Sequence, residues 1–340
     1  MPSVINTYGD VSPRVGVRAS RRFLARALPE ILTQRWGQKE TLRLNEGKVV
    51  KFRRFESLAL TTAPLAEGVS PPGQRLRYTD VTLILEQYGD KVGITDQVAD
   101  THEDPVLQQS TDLCSEQASH SIEAISLNKL KGGTNVVYSG GVTARGSVIA
   151  GPTAGDISKC VRVLDRGLAR PITKMVKASP DYSTTPVRAS FVALAHTDLD
   201  WDLNQMTGFK PVVQYAQPGE ALPNETGASG RVRFVLTQRL ESWKAVGGST
   251  ATKLANGVAP SGATACDVYP ILIMGQDWYG RANLQGMEAA KIMVLQPNQP
   301  RGGDELGQQG WVSWKLYYGI VILNDAYGLR YECACTANPS

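Results

Sequence analysis

The chain has 340 residues, with 36 Lys+Arg against 32 Asp+Glu and a formal charge of +4, so it is neither a strongly basic nucleic-acid coat nor an acidic tail protein. With 42% hydrophobic and 20% charged residues its composition is globular and excludes a disordered chain; 33 Gly and 19 Pro imply much turn and loop. The charge is uneven: Arg14, Arg18, Arg21, Arg22 and Arg26 face only Asp10 and Glu30 in the first thirty residues. Five scattered cysteines (Cys114, Cys160, Cys266, Cys333, Cys335) are too few for a disulfide scaffold, and their odd number favours a reducing compartment. No apolar run approaches the ~20 residues that cross a bilayer, so membrane insertion is not expected.

In chain order, residues Ser20 to Gln34 predict a short helix, with Phe23, Leu24, Ala27, Leu28, Ile31 and Leu32 at helical spacing and the arginines largely opposite. Gly47 to Leu60 reads as a strand, with Val50, Phe52, Leu58 and Leu60 in one register and Phe55 in the other. A second strand, Tyr78 to Val92, places Val81, Leu83 and Leu85 on one face. The sixteen residues between them, Thr61 to Leu76, hold three prolines and two glycines, too long for a tight turn. Two strands with charge on both faces (Arg53, Arg54, Glu56; Asp80, Glu86) bury no core of their own, so this reads as an arm awaiting a partner.

A long helix follows, begun by Asp104 as cap and Pro105 at the first helical position and stopped at Lys131-Gly132-Gly133. Its apolar positions leave much of the circumference polar, as in a helix laid across a surface. Thr153 and Asp156 stand in capping-box spacing before Ile157, Cys160, Val161, Leu164 and Leu168, and Pro171 closes that second helix. Strands are expected at Arg188–Leu194, Val232–Leu236, Tyr269–Met274 and Gly310–Leu323, with a short helix begun by Thr197 and a Gly/Ser/Thr/Ala-rich surface segment at Lys244–Thr264.

Catalytic and metal motifs fail. Asp198, Asp200 and Asp202 alternate like a calcium loop, but Leu203 and Phe209 stand where Gly and Glu are needed. Gly141 to Ser147 approaches P-loop spacing without the lysine that meets the phosphates. Cys333 and Cys335 have no second ligand pair nearby, and His102, His120 and His196 are widely separated. No catalytic, cofactor or metal residue is therefore expected, and no enzyme.

The order of arm, two-stranded extension, long surface helix and mixed α/β region resembles the Hong Kong 97-like fold of tailed-phage major capsid proteins. Lys51-Phe-Arg-Arg-Phe-Glu-Ser-Leu58 followed by Thr61-Thr-Ala-Pro-Leu-Ala-Glu-Gly68 is similar to the extended-loop signature of the N4-like capsid family. Tyr88-Gly89 with Thr95-Asp96, Ala195-His196 through Asp202-Leu203, Gly230-Arg-Val-Arg-Phe234, and Gly307-Gln-Gln-Gly310-Trp-Val-Ser-Trp-Lys315 with Ile322-Leu-Asn324 match later blocks in order. One departure is Glu225-Thr-Gly-Ala-Ser-Gly230, where the family carries a Gly-Glu-Ile-Gly-type run.

The resemblance implies an α+β subunit with an N-terminal arm (1–45), an extended-loop hairpin (46–92), a peripheral domain (93–189) whose spine helix spans about 104–131, a mainly axial region (190–310) and C-terminal strands returning to the body (311–340). It implies a major capsid protein forming hexamers and pentamers of an icosahedral head around double-stranded DNA, located in the virion and assembled in the host bacterial cytoplasm. An encapsulin-like shell and an unrecognised enzyme are the alternatives. Intersubunit contacts are expected from Arg53, Arg54, Phe55, Pro64, Leu65, Glu67, Pro71, Pro72 and Arg75 of the extended loop, and from Arg18, Arg21, Arg22, Phe23 and Arg26 of the arm. Implied partners are other copies of the chain, a separate scaffolding protein (no large scaffolding segment precedes the arm), a portal and a decoration protein, with weak non-specific contact to packaged DNA. The arm is expected to face DNA or to stitch to a neighbour, the neighbour being preferred.

Overall fold

The computed structural model describes residues 5–6, 31–62, 64, 67–68, 70, 73–101, 105–175, 187–215, 221–286, 290–300 and 302–338. In chain order the strands are β1 (Ile5–Asn6), β2 (Gln38–Leu42), β3 (Val49–Phe55), β4 (Tyr78–Ile84), β5 (Glu86–Thr95), β6 (Val136–Tyr138), β7 (Phe191–His196), β8 (Phe209–Pro211), β9 (Glu225–Ser229) and β10 (Val232–Thr237). They continue with β11 (Ser249–Thr250), β12 (Thr264–Ala265), β13 (Val268–Met274), β14 (Tyr279–Leu284), β15 (Lys291–Leu295), β16 (Gln309–Ile322) and β17 (Gly328–Ala334). The helices are α1 (Asp96–Thr101), α2 (Val106–Leu130), α3 (Ala154–Arg166) and α4 (Asp200–Asn204).

Two larger sheets organise the body. Sheet I runs β1-β5-β16-β14-β2, with β15 also on β16; sheet II runs β6-β17-β13-β7-β10-β9-β8. Residues 279–295, within the stretch expected to be mainly axial, thus pair with sheet I, and β17 returns to sheet II. The two-residue period of buried strands divides the core. Phe191, Ala193, Ala195, Ile271 and Ile273 pack with Ile157, Cys160 and Leu164 of α3. Their neighbours Val192, Leu194, Leu272 and Met274 face the other way and join Cys114, Ala118 and Ile122 of α2. Sheet II is therefore apolar on both faces, which is why its central strands read as continuous hydrophobic runs.

Helix α2 lies across sheet I, against β16 and β5. Its four-residue spacing of Cys114, Ala118 and Ile122 makes the buried stripe, while Leu113 on the flank stays exposed. Pro105 is the N-cap, one position before the expected one, with no side-chain cap bond; Asp104 lies outside the described residues. At the other end the Gly132 and Gly133 N–H groups bond to the carbonyls of Lys129 and Leu130. In α3 the Thr153 hydroxyl accepts the Asp156 N–H at 3.2 Å, as the spacing requires. The short helix after β7 is capped by the imidazole of His196, which accepts the Asp198 N–H at 3.1 Å, rather than by Thr197.

The helix expected over residues 20–34 lies mostly outside the described residues; residues 31–34 are coil and turn. Tertiary bonds occupy the groups a helix would use. The buried Glu123 carboxylate of α2 accepts the Thr33 N–H (3.3 Å) and hydroxyl (2.6 Å), and the Tyr279 hydroxyl donates to the Thr33 carbonyl (2.6 Å). With Leu32 and Trp36 buried beside them, these bonds fasten the segment entering β2 to the long helix.

Burial raises the Glu123 pKa above its ordinary 4.5, and the Thr33 bonds only partly oppose the rise. The folded state therefore binds this proton more tightly than the unfolded chain. The contribution to stability is fully present below pH 4.5 and is lost as pH rises through the raised folded value. Glu123→Gln keeps an acceptor for Thr33 and removes the titration. Urea unfolding of the variant should show a smaller fall in stability from pH 4.5 towards neutrality than the parent; identical slopes would contradict the burial argument.

Candidate assembly surfaces

The β3–β4 hairpin has two unlike halves. At its root Val50, Leu83 and Leu85 are buried against Ala282 of β14, with Leu42, Phe52 and Val321 packed around them. Two glycines permit the approach: a Cβ on Gly280 would meet the Phe52 ring at 2.8 Å, and one on Gly319 would meet the Ile84 carbonyl at 2.9 Å. The Leu85 N–H donates to the Lys48 carbonyl at 2.8 Å, closing the hairpin where it joins the sheet.

The distal half has no core beneath it. Arg53 and Asp80, directly opposite in register, form a two-bond pair at 2.8 and 2.9 Å, and the Arg53 guanidinium lies over the Tyr78 ring at 4.2 Å. The hydrogen bond from Arg53 holds the Asp80 carboxyl below its usual range, against a smaller opposing effect of desolvation. Phe55 meets Tyr78 edge-on with ring centroids 6.3 Å apart. Beyond the last strand pair, the Gln74 side-chain amide donates to the Ala59 carbonyl and accepts the Ala59 N–H, both at 3.0 Å, in the manner of a neighbouring strand.

Along this half Phe55 (62% exposed), Leu58, Leu60 (93%) and Leu76 (71%) face solvent, interleaved with exposed Arg54, Arg75 and Arg77. Of the predicted contact residues, Arg53 and Phe55 meet around Tyr78, Arg54 and Arg75 are exposed on the arm, and Pro64 and Glu67 lie exposed in its tip. Leu65, Pro71, Pro72 and the arm residues Arg18, Arg21, Arg22, Phe23 and Arg26 lie outside the described residues. Leu76, Tyr78 and Arg77 belong to the same exposed surface and escaped the sequence reading. Tyr78 was visible only as a strand start, and its cross-strand partners follow from register.

The rejected motifs have structural roles among the described residues. Asp198 accepts the Tyr269 hydroxyl at 2.7 Å, whereas Asp202 accepts the Thr336 N–H at 2.8 Å, so these acids serve different partners. Arg145, from the P-loop-like stretch, makes a two-bond pair with buried Glu332 at 2.7 and 2.8 Å and stacks on Trp243 at 3.6 Å. Arg330 shares that carboxylate and donates to the Lys131 carbonyl, tying β17 to the end of α2. Burial pushes the Cys160 thiol up to about 12 and the Cys333 thiol well above its ordinary value, the reverse of an activated nucleophile. His102 lies outside the described residues; His120 contacts Glu116 and Arg239. Among the described residues no group of three His, Cys, Asp or Glu side chains is arranged to hold a metal, and no helix is long and apolar enough to cross a membrane.

The most distinctive surface is thus an arm rooted in a sheet and unfinished at its tip. The capsid of Ralstonia phage GP4 is similar over 100% of both chains, with a TM-score of 0.70 at 12% identity. The capsid of cyanophage Pam1 matches over 99% of this chain and 100% of its own (TM-score 0.64, 12% identity), and the head of Helicobacter pylori bacteriophage KHP40 over 98% of each (0.62, 12%). At these identities the likeness is one of fold: the α+β architecture is that of phage capsid subunits. Among curated proteins none matches the sequence significantly. Residues 79–331 match the family model for phage capsid protein, and the chain belongs to that family. It is a major capsid protein, a structural component of the virion that assembles with copies of itself.

The two halves of the hairpin should respond differently to substitution. Leu83→Ala removes a root side chain that is only 4% exposed and should lower the stability of the isolated subunit by about 2–5 kcal/mol in urea titration. Arg53→Leu breaks an exposed pair and should leave the urea midpoint unchanged. A midpoint lowered equally by both would mean that the distal half belongs to the folded body.

Proposed function

We propose that this chain closes hexamers and pentamers of an icosahedral, N4-like phage head around double-stranded DNA, and that the β3–β4 hairpin is the extended loop that laps a neighbouring subunit. The observation that carries the reading is the exposed distal half. Phe55, Leu58, Leu60 and Leu76 have no apolar cover within their own chain, and a two-stranded ribbon without a core is marginal in water. A neighbour supplies the missing burial. In this reading α2 is the spine of a peripheral domain built on sheet I, and sheet II carries the axial domain. Each contact is modest, and many contacts per subunit multiply its effect.

The basic first thirty residues join the same scheme as a second appendage, stitched to a neighbour. Scaffolding, portal and decoration proteins are the other partners, packaged DNA is touched weakly and without sequence preference, and assembly takes place in the host cytoplasm. A net charge of +4 on 340 residues suits a container that releases its genome. The deeply buried thiols and the divided acids support a purely structural role over an enzymatic one.

Deletion of residues 62–74, joining 61 to 75 through a short Gly-Ser turn, tests the reading. The variant should retain the circular dichroism and urea midpoint of the parent subunit yet form no shells by electron microscopy. Shells of normal size from the shortened chain would remove the hairpin from assembly, and nucleic acid inside the parent shells separates a phage head from an enzyme-loaded compartment.

A further inference from the structure

We propose that the distal hairpin of one copy docks on the far end of sheet I in a second copy, on an apolar patch of Val294, Leu295 and Leu306 rimmed by Asp100, Asp304 and Glu305. The inference rests on the hairpin being the intersubunit arm and adds the surface that receives it.

Pairing brings the patch together. Leu295 stands opposite Trp311 and Val294 opposite Val312, so the end of β15 lies beside the start of β16. There Asp304 accepts the Gln308 and Gln309 N–H groups at 3.0 and 2.8 Å. The Asp96 N–H donates to the Gln308 carbonyl at 3.0 Å, which brings α1 to the same place, and the Asn298 amide donates to Asp100 at 3.4 Å. Leu306 is 77% exposed, and Val294 and Leu295 are 42% and 41% exposed. The one nearby cation among the described residues, Lys91, lies on the Trp311 ring at 4.3 Å.

This patch is the counterpart of the hairpin tip. Each is a set of exposed branched or aromatic side chains in a charged rim, arginine on the tip and carboxylate on the patch. Apolar centres with opposite rims supply burial and orientation together. A molecule does not satisfy itself this way. β4 passes into β5 through the single residue Leu85, so tip and patch lie at opposite ends of one strand run, and β5 alone spans about 30 Å. Two unlike surfaces on one chain make a head-to-tail contact, the kind that closes rings when the rotation per subunit allows.

Charge exchange and cross-linking test the contact. Arg54→Glu with Arg75→Glu reverses the tip, and Asp100→Lys with Glu305→Lys reverses the patch. Each pair should raise the concentration needed for shell formation about tenfold or more, and the combined four should recover most of the loss. In a second arm, Leu58→Cys and Leu306→Cys are placed in one chain whose five native cysteines are all buried. A short bis-maleimide should then give a ladder of dimers and higher species from assembled material, a readout that holds even if the patch reversal misfolds. If tip reversal and loop deletion abolish shells while patch reversal changes nothing and no ladder forms, the receiving surface lies elsewhere and the hairpin keeps its role. If loop deletion leaves shells intact, the hairpin reading falls, and this inference falls with it.

Discussion

Ten consecutive residue pairs between β5 and β16, from Thr95 opposite Gln309 to Glu86 opposite Tyr318, set the geometry on which the rest of the subunit depends. Because β16 also carries β15 along its first half and β14 along its second, every strand of sheet I is placed by reference to it. Helix α2 is seated on the same strand, with the Ser126 hydroxyl bonded to Tyr318 at 2.8 Å and the Trp314 indole bonded to Gln117 at 2.9 Å. Where the pairing with β16 ends at Glu86, the chain that precedes it leaves the sheet as the hairpin. The arm's departure point is therefore fixed by main-chain hydrogen bonding along a fourteen-residue strand, which resists slippage because one step would exchange its buried and exposed faces.

Buried charge secures the joins between elements that this pairing does not reach. Glu332 receives both Arg145 and Arg330, and Glu225 receives Arg233, the Tyr215 hydroxyl and the Leu222 N–H. Asp267 accepts the backbone N–H groups of Ala245, Asn256 and Gly257 and so folds the polar segment between β10 and β13 around one side chain. Such groups add little net stability over apolar packing, but removing one partner strands the other, so they select one arrangement of the loops. A subunit that presents its contact surfaces identically in many copies needs that uniqueness more than it needs extra stability.

Much of this was legible in the sequence where the signal is local. The Thr153 cap, the glycine stop after Leu130 and the alternation in β16 each depend on neighbours a few residues apart, and each appeared where expected. The hairpin was legible for the opposite reason: sixteen residues rich in proline between two strands without a core made no sense inside a compact domain. What escaped was set by tertiary partners. Nothing near Thr33 announces that Glu123, ninety residues away, will take its N–H and hold residues 31–34 out of a helix. Nor does β14 differ in pattern from the strands of sheet II; its place in sheet I comes from pairing with β16 and β2. Arg145 read as part of a failed phosphate loop, because its partner Glu332 lies 187 residues further on.

The exposed half of the hairpin carries the central compromise of a shell subunit. Enough apolar surface must face water for a neighbour to gain by covering it, yet the free subunit must not aggregate through that surface. Interleaving Arg54, Arg75 and Arg77 among Phe55, Leu58, Leu60 and Leu76 meets both demands. Like charges on separate tips repel at distances up to about 10 Å at ordinary ionic strength, while a surface rimmed with carboxylates attracts them. The unpaired edges of β3 and β4 are guarded in the same way, since charged side chains on a two-stranded ribbon discourage pairing with another ribbon of the same charge. Apolar contact then sets how strongly two subunits hold, and charge sets which surfaces meet. That division allows each contact to stay weak enough to be corrected during growth while the closed shell, with every subunit held on several sides, remains intact.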